Sequence, residues 1–319
     1  MTVLSDTSTA RISIVRQAGK DNTVPATPKW DNIPVTSIGV NEQLESSDSA
    51  VLRPDRQFSN ARIMTGSSGG DIPVEACYDD WFDTFLMGVL QTAGKTWGTG
   101  TDIYNGATKQ YFSLERFFEA GDGDFYQWYK DVQFNSMTLN FDANAFVGAS
   151  VNVLGVEVED PATTGKTGAT YTDPDMTNQF DTNSVKIVVK DKAGTVIETV
   201  AQAGSLEMNN NLRRQAGVGL FYGAGNASGR FSCVTNLTLY FANRKIYTGF
   251  KANDAFTIEI TITAPDGANY KAVMKNCKAT TYDDNIGGVD TDIMIEAAFR
   301  ANADTSSPSR TITWTKTDA

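Results

Sequence analysis

Residues 121–136 read GDGDFYQWYKDVQFNS, and whether this run is a metal loop or a turn feeding a strand decides the fold. Alternating Asp and Gly resemble the start of a calcium loop, which needs further oxygen ligands and a closing Glu. Tyr126 stands where the next ligand belongs. The residues that follow alternate instead. Tyr126, Trp128, Val132 and Phe134 fall on one face, and Gln127, Asp131 and Gln133 on the other, which is the period of a β-strand. The stretch is therefore read as a hairpin turn at Asp122-Gly123, with Gly123 taking a positive φ, followed by a strand.

An internal repeat supports this reading. FSLE at 112–115 recurs as FTIE at 256–259, and the Asp-Gly pair 122–123 recurs as Asp266-Gly267. Tyr126 recurs as Tyr270, all three at an offset of 144, and FDAN (141–144) recurs as YDDN (282–285) at 141. LRPDRQ (52–57) has a shortened counterpart in LRRQ (212–215), and the segment 78–92 one in 236–254. In PDGANYKAVMK (265–275) no carboxylate cluster survives, so both Asp-Gly pairs are turns rather than metal sites. The order and near-constant spacing predict a duplicated module.

Strand patterns dominate the rest. FTIEITIT (256–263) places Phe256, Ile258, Ile260 and Ile262 on one face, and SVKIVVKDKAGTVIETV (184–200) reads as a hairpin around Lys192–Gly194. One helix stands out, where Trp81, Phe82, Phe85, Leu86, Val89 and Leu90 make a single apolar stripe. Asp79, Asp80 and Asp83 occupy its first turns, where the helix dipole favours negative charge, and Gly94 offers a stop. The predicted organisation is an N-terminal arm (1–35), a first β module (36–158), a Thr-rich linker (159–183), a second β module (184–300) and a C-terminal tail (301–319). The fold class is mainly β, with two sandwich or barrel-like modules each flanked by an α-helix.

Composition narrows the function. The 319 residues carry 38 acidic against 27 basic groups, a net charge of −11, and no histidine. The acidic excess opposes binding to a nucleic-acid backbone. The absence of histidine removes Ser-His-Asp and Cys-His mechanisms and the usual zinc sites, and no catalytic, metal or cofactor-binding residue is predicted. Gly94-Lys95-Thr96 resembles the end of a phosphate loop, but Val89 stands where its earlier Gly belongs. The paired carboxylates Asp79/Asp80 and Asp283/Asp284 sit at a helix start and in a turn. Cys77, Cys233 and Cys277 read as small buried residues. The N-terminus lacks a signal-peptide pattern, and no apolar run reaches membrane-spanning length.

The chain resembles the tail tube proteins of long, non-contractile-tailed bacteriophages. The residues that carry the resemblance are WDNIPVTS (30–37), ESSDSAVLRPDRQ (45–57), GGDIPVEACYDDWFDTFLMGVL (69–90), the aromatic hairpin of 111–142 and VGASVNV (147–153). Their order runs across nearly the whole chain. Glu75-Ala76-Cys77 departs from the Glu-Leu usual before the Tyr-Asp-Asp helix and touches packing only. The resemblance implies a non-enzymatic virion component, assembled in the host bacterial cytoplasm. Its β modules close into rings of six around an acidic lumen, and the rings stack into a tube through which DNA passes without specific binding. Duplication favours a trimer giving a pseudo-sixfold ring over a hexamer of chains. Further partners implied are the tape-measure protein and the tail tip and terminator proteins, with no membrane. The loop 94–110, with Lys95, Trp97, Asp102, Tyr104 and Lys109, is the longest departure between the repeats. Together with the N-terminal arm it is expected to contact the next ring. The competing reading is a carbohydrate-binding or adhesin β-sandwich, in which Trp97 and Trp128 stack on sugars. A carboxylate-dependent hydrolase is a third.

Overall fold

Alternating apolar residues make most of this chain strand. The computed structural model describes residues 7–20, 23–51, 54–55, 57, 60–92, 96–121, 123–286, 288–306 and 308–319. The first half contains β1 (Arg11–Arg16), β2 (Lys29–Asn32), β3 (Asn41–Asp48) and β4 (Ala61–Glu75), then helix α1 (Asp80–Val89). It continues with β5 (Asp102–Tyr104), β6 (Phe112–Phe118), β7 (Phe125–Asp142), β8 (Gly148–Gly155), β9 (Glu157–Val158) and β10 (Thr170–Thr172). The second half contains β11 (Val185–Lys190), β12 (Val196–Ile197), β13 (Ala201–Asn209), β14 (Arg213–Gln215), β15 (Gly225–Ala227) and β16 (Ser232–Tyr240). Helix α2 (Lys245–Lys251) follows, then β17 (Phe256–Thr263), β18 (Asn269–Asn285), β19 (Met294–Ala301) and β20 (Thr313–Thr317). The fold is mainly β, with open sheets.

One antiparallel pairing pattern occurs twice. In the first half β1 pairs with β2 and β6, β6 with β7, β7 with β9 and β8, β8 with β4, and β4 with β3. In the second half β11 pairs with β12 and β17, β17 with β18, β18 with β20 and β19, β19 with β16, and β16 with β13. The long strands β7 and β18 each serve two layers: the N-terminal part lies in one sheet and the C-terminal part in the other. In both halves a helix precedes the hairpin that leads into the long strand.

A bulge corrects the strand reading of 126–134. Asp131 adopts φ 50°, and the partners step from Phe112↔Val132 to Leu114↔Tyr129. An extra residue in the strand shifts the alternation by one. Tyr129 rather than Trp128 therefore joins Val132 and Phe134 in the core. Trp128 faces the other way and donates its indole N–H to the buried Glu115 carboxylate at 2.8 Å. The segments read as arm, linker and tail are also laid into the sheets. β1 buries Ile12 and Ile14 against β6, and Trp30 of β2 and Trp314 of β20 are fully buried. β10 pairs in parallel with β2. Short apolar alternations within Thr- and Ser-rich sequence suffice for this, because each needs to cover only one edge of an existing sheet.

Helix α1 is buried over most of its surface, leaving Asp80 exposed and Thr84 half-buried. Its stripe packs on β7 through Phe85 and Phe134, whose ring centroids lie 5.2 Å apart, and another part of its surface meets the second half. Tyr270 of β18 stacks on Trp97 at 5.4 Å and lies 5.4 Å from Phe82. Asp83, read from sequence as a helix-dipole charge in the first turns, points into this contact. It accepts from the Tyr270 hydroxyl at 2.5 Å and from the Lys316 ammonium of β20 at 2.6 Å. Burial pushes the Asp83 carboxyl upward, while Lys316 and then Tyr270 pull it back. Asp79 caps the helix, accepting from the Asp80 amide at 2.6 Å. In the second half Cys233 and Cys277 lie opposite Ala301 from the two flanking strands of β19.

The Asp83–Lys316 side chains are only 6% and 11% exposed. Lys316→Met leaves a buried carboxylate unpaired, so we expect a loss of about 3–5 kcal/mol in urea unfolding. Adding Asp83→Leu to that variant recovers most of the loss. Tyr270→Ala costs about 3–5 kcal/mol by opening a cavity between helix and sheet.

Candidate functional site

No catalytic constellation presents itself, and no group of His, Cys, Asp and Glu suited to a metal ion occurs among the described residues. The informative surfaces are a sheet face and its edges. β13 pairs with the C-terminal part of β7 from Ala203↔Asp142 to Asn209↔Ser136. That joint fuses β4, β8, β7, β13, β16, β19 and β18 into one continuous sheet spanning both halves.

Partners across an antiparallel ladder share a face, so the two sides of this sheet can be followed from strand to strand. One side is core: Ala149, Leu139, Leu206 and Phe299 are buried along one row. The opposite side is polar. One row reads Ser150, Thr138, Glu207, Val234, Arg300 and Lys278, and the next but one reads Asp142, Ala203, Thr238, Glu296 and Asp283. Asp71 continues this side on β4, accepting from the Asn152 amide at 2.7 Å. Carboxylates on this side include Asp71, Glu75, Asp142, Glu207, Asp283 and Glu296, alongside the cations Lys278 and Arg300. A shallow depression of about 430 Å³ runs along it, lined in part by Asn140, Ser205, Asn236 and Glu296.

Among the described residues the sheet has two open edges. Beyond Cys277, β18 pairs there only with β19, without a strand on the flank that on β7 is occupied by β13. At the far end β3 pairs only with β4 among the described residues. The β3–β4 hairpin projects from the sheet and exposes Leu44, Ile63 and Met64. The excursion 210–231 between β13 and β16 clamps it. The Gly66 amide donates to the Phe221 carbonyl at 3.0 Å, Tyr222 donates to Glu42 at 2.6 Å, and Arg214 donates to the Ser68 carbonyl at 2.9 Å. A Cβ at Gly66 would lie 2.6 Å from the Tyr222 ring and 2.7 Å from the Phe221 ring, so a larger residue there would displace these rings.

Of the turn residues, Gly123 has φ 126° and Gly267 φ 100°, and Asp266 accepts from the Ala268 amide at 2.9 Å. Asp122 lies outside the described residues. So does Lys95, and the other four loop residues are engaged with the second half of the chain. Trp97 is buried on Tyr270 and donates to the Thr101 carbonyl at 2.9 Å. Asp102 of β5 accepts from Thr315 of β20 at 2.6 Å. Arg310 lies over the Tyr104 ring at 4.3 Å, and Lys109 donates to the Asn226 carbonyl at 2.8 Å. Residues 98–102 keep an exposed rim. The open edges and the clamp escaped sequence reading, because edges are defined by what fails to pair. The Asp83–Lys316 contact left one sign: an acid within an otherwise apolar helical stripe.

No helix among the described residues is long and apolar enough to cross a membrane. Comparison with curated proteins finds no match. A family model described as phage tail tube protein matches residues 7–301. With nearly the whole chain matched, and a mainly β architecture of open sheets to go with it, the chain belongs to the phage tail tube protein family.

Proposed function

We propose that the chain is a structural subunit of a tail tube. Three copies close into a pseudo-sixfold ring, and the rings stack around an acidic lumen that conducts DNA. The observation that carries this reading is the β7–β13 joint. The chain contains one finished junction between two copies of a pairing pattern, one running from β1 to β9 and the other from β11 to β20, plus the two half-junctions needed to repeat it. Those are the vacant flank of β18 beyond Cys277 and the outer edge of β3. An exposed edge is a liability for a lone particle, and closure around a rotation axis satisfies every one of them. The helices point the same way. α1 is covered on its outer side by the second half, whereas α2 leaves Tyr247 exposed, as a helix does when its cover belongs to another molecule.

In such a ring the polar side of the continuous sheet faces the axis, and its acid excess repels phosphate, so DNA slides without sticking. Stacking is assigned to the rim of 98–102 and the projecting β3–β4 hairpin. The tape-measure protein, tip and terminator are the partners of the completed tube. A carbohydrate-binding sandwich finds little support, since Trp97 and Trp128 are both buried.

Electron microscopy of the purified protein at high concentration should reveal rings of three chains with six similar lobes. Particles that remain single, or rings of six chains, refute the closure scheme. Virions carrying Glu207→Lys and Glu296→Lys should assemble tubes and release DNA more slowly; unchanged ejection kinetics count against the lumen assignment. Ile63→Lys with Met64→Lys should leave rings intact and stop them stacking, as measured by tube length.

A further inference from the structure

Residues 176–187 read MTNQFDTNSVKI and residues 1–12 read MTVLSDTSTARI, at an offset of 175. The ladders give the same offset independently: Ser13 lies opposite Glu115 in β6, and Val188 lies opposite Glu259 in β17. A short 3-10 turn precedes the strand in both places, at Thr7–Thr9 and at Thr182–Ser184. The two segments are therefore equivalent.

The second copy of this segment has a defined seat, and it lies on the first half of the chain. Tyr78 donates to the Asn178 carbonyl at 3.0 Å, Phe180 to the Ala76 carbonyl at 3.0 Å, Val147 to the Phe180 carbonyl at 2.9 Å, and Thr182 to the Ala145 carbonyl at 3.0 Å. Phe180 is fully buried there, and Ala76 and Val147 are 0% exposed. The corresponding seat on the second half is identifiable. Ala76 and Phe241 each follow the last residue of their strand by one, and each donates at 2.9 Å, to Val147 and to Ile293. Val147 and Ile293 each precede the next strand by one. Yet Phe241 is 39% and Ile293 44% exposed. Among the described residues no counterpart of Phe180 covers them.

We infer that this seat, formed by Phe241–Asn243 and Thr291–Ile293, receives the N-terminal segment around Val3–Thr7 of a neighbouring copy in the ring. The inference rests on the ring reading above. The direction follows from the joint: the segment preceding β11 reaches back onto the half whose β7 pairs with β13. The segment preceding β1 then reaches back onto the half whose β18 would pair with β3, and that half belongs to another chain. Side-chain volumes agree. The finished seat combines a large guest, Phe180, with a small host, Ala76; the open seat combines a small guest, Ser5, with a large host, Phe241. Exchanging bulk between contacting positions conserves volume, the kind of change a packed site tolerates best. The contact is lateral, within a ring, rather than axial.

Ser5→Cys with Phe241→Cys places two thiols at opposed antiparallel positions, where Cα separations of about 4.5–5.5 Å permit a disulfide. Mild oxidation of assembled rings should join chains into covalent dimers and trimers on a non-reducing gel, and neither single variant should do so. Ser5→Cys with Ile293→Cys provides a second pair should the first disturb folding. Rings with no cross-link in either pair, or with one confined to a single chain, overturn the exchange and leave the ring standing. Protein that never forms rings overturns both. In a complementary series, Ser5→Phe should raise the concentration needed for ring assembly by about tenfold or more. Adding Phe241→Ala should restore it, whereas an additive loss would contradict the seat.

Discussion

The hydrogen-bonding demand of a strand edge governs this molecule. From Ser136 to Asn140 each residue of β7 has two flanks, and β8 and β13 fill both. A backbone group left unpaired away from water is costly, so a strand carrying apolar side chains on one side must be flanked or kept short. β13 meets that demand for β7 and, in doing so, converts two sandwich-like halves into a single sheet. The polar row from Ser150 to Lys278 exists only because of that continuity.

The fusion also dictates what lies behind the sheet. A helix set between two halves is enclosed over most of its surface, and α1 is composed accordingly, with Trp81, Phe82, Phe85 and Leu86 all buried. Enclosure leaves no water for Asp83, so its negative charge is balanced by Lys316 and the Tyr270 hydroxyl, more than 180 residues away in sequence. Such a pair adds little net stability compared with apolar side chains of the same size. Its effect is directional. It ties one face of α1 to β18 and β20 of the second half.

Much of the architecture was readable from periodicity. The strands β17 and β11, the helix α1 and the recurrence of FSLE as FTIE follow from spacing alone, because burial on one side imprints a period. Three kinds of feature were not readable. The left-handed residue Asp131 inverts the alternation of β7, and nothing local distinguishes it from its neighbours. The strands β1, β10 and β20 lie in compositionally weak sequence and form only because another strand's edge awaits them. The loop residues Trp97, Asp102, Tyr104 and Lys109 were recognisable as a departure between repeats. Their contacts with β20, Tyr270 and Asn226 depend on distant chain that no local pattern encodes.

The position of Ala301 between two thiols has a further consequence. Cys233 and Cys277 flank it on separate strands, which puts them about two strand spacings, or roughly 9–10 Å, apart. That exceeds the span a disulfide can bridge without moving the backbone. Burial also holds both in the unreactive protonated form, with the Cys277 thiol pushed up to about 12. A change from reducing to oxidising surroundings therefore leaves this sheet chemically untouched, and its integrity is independent of redox history.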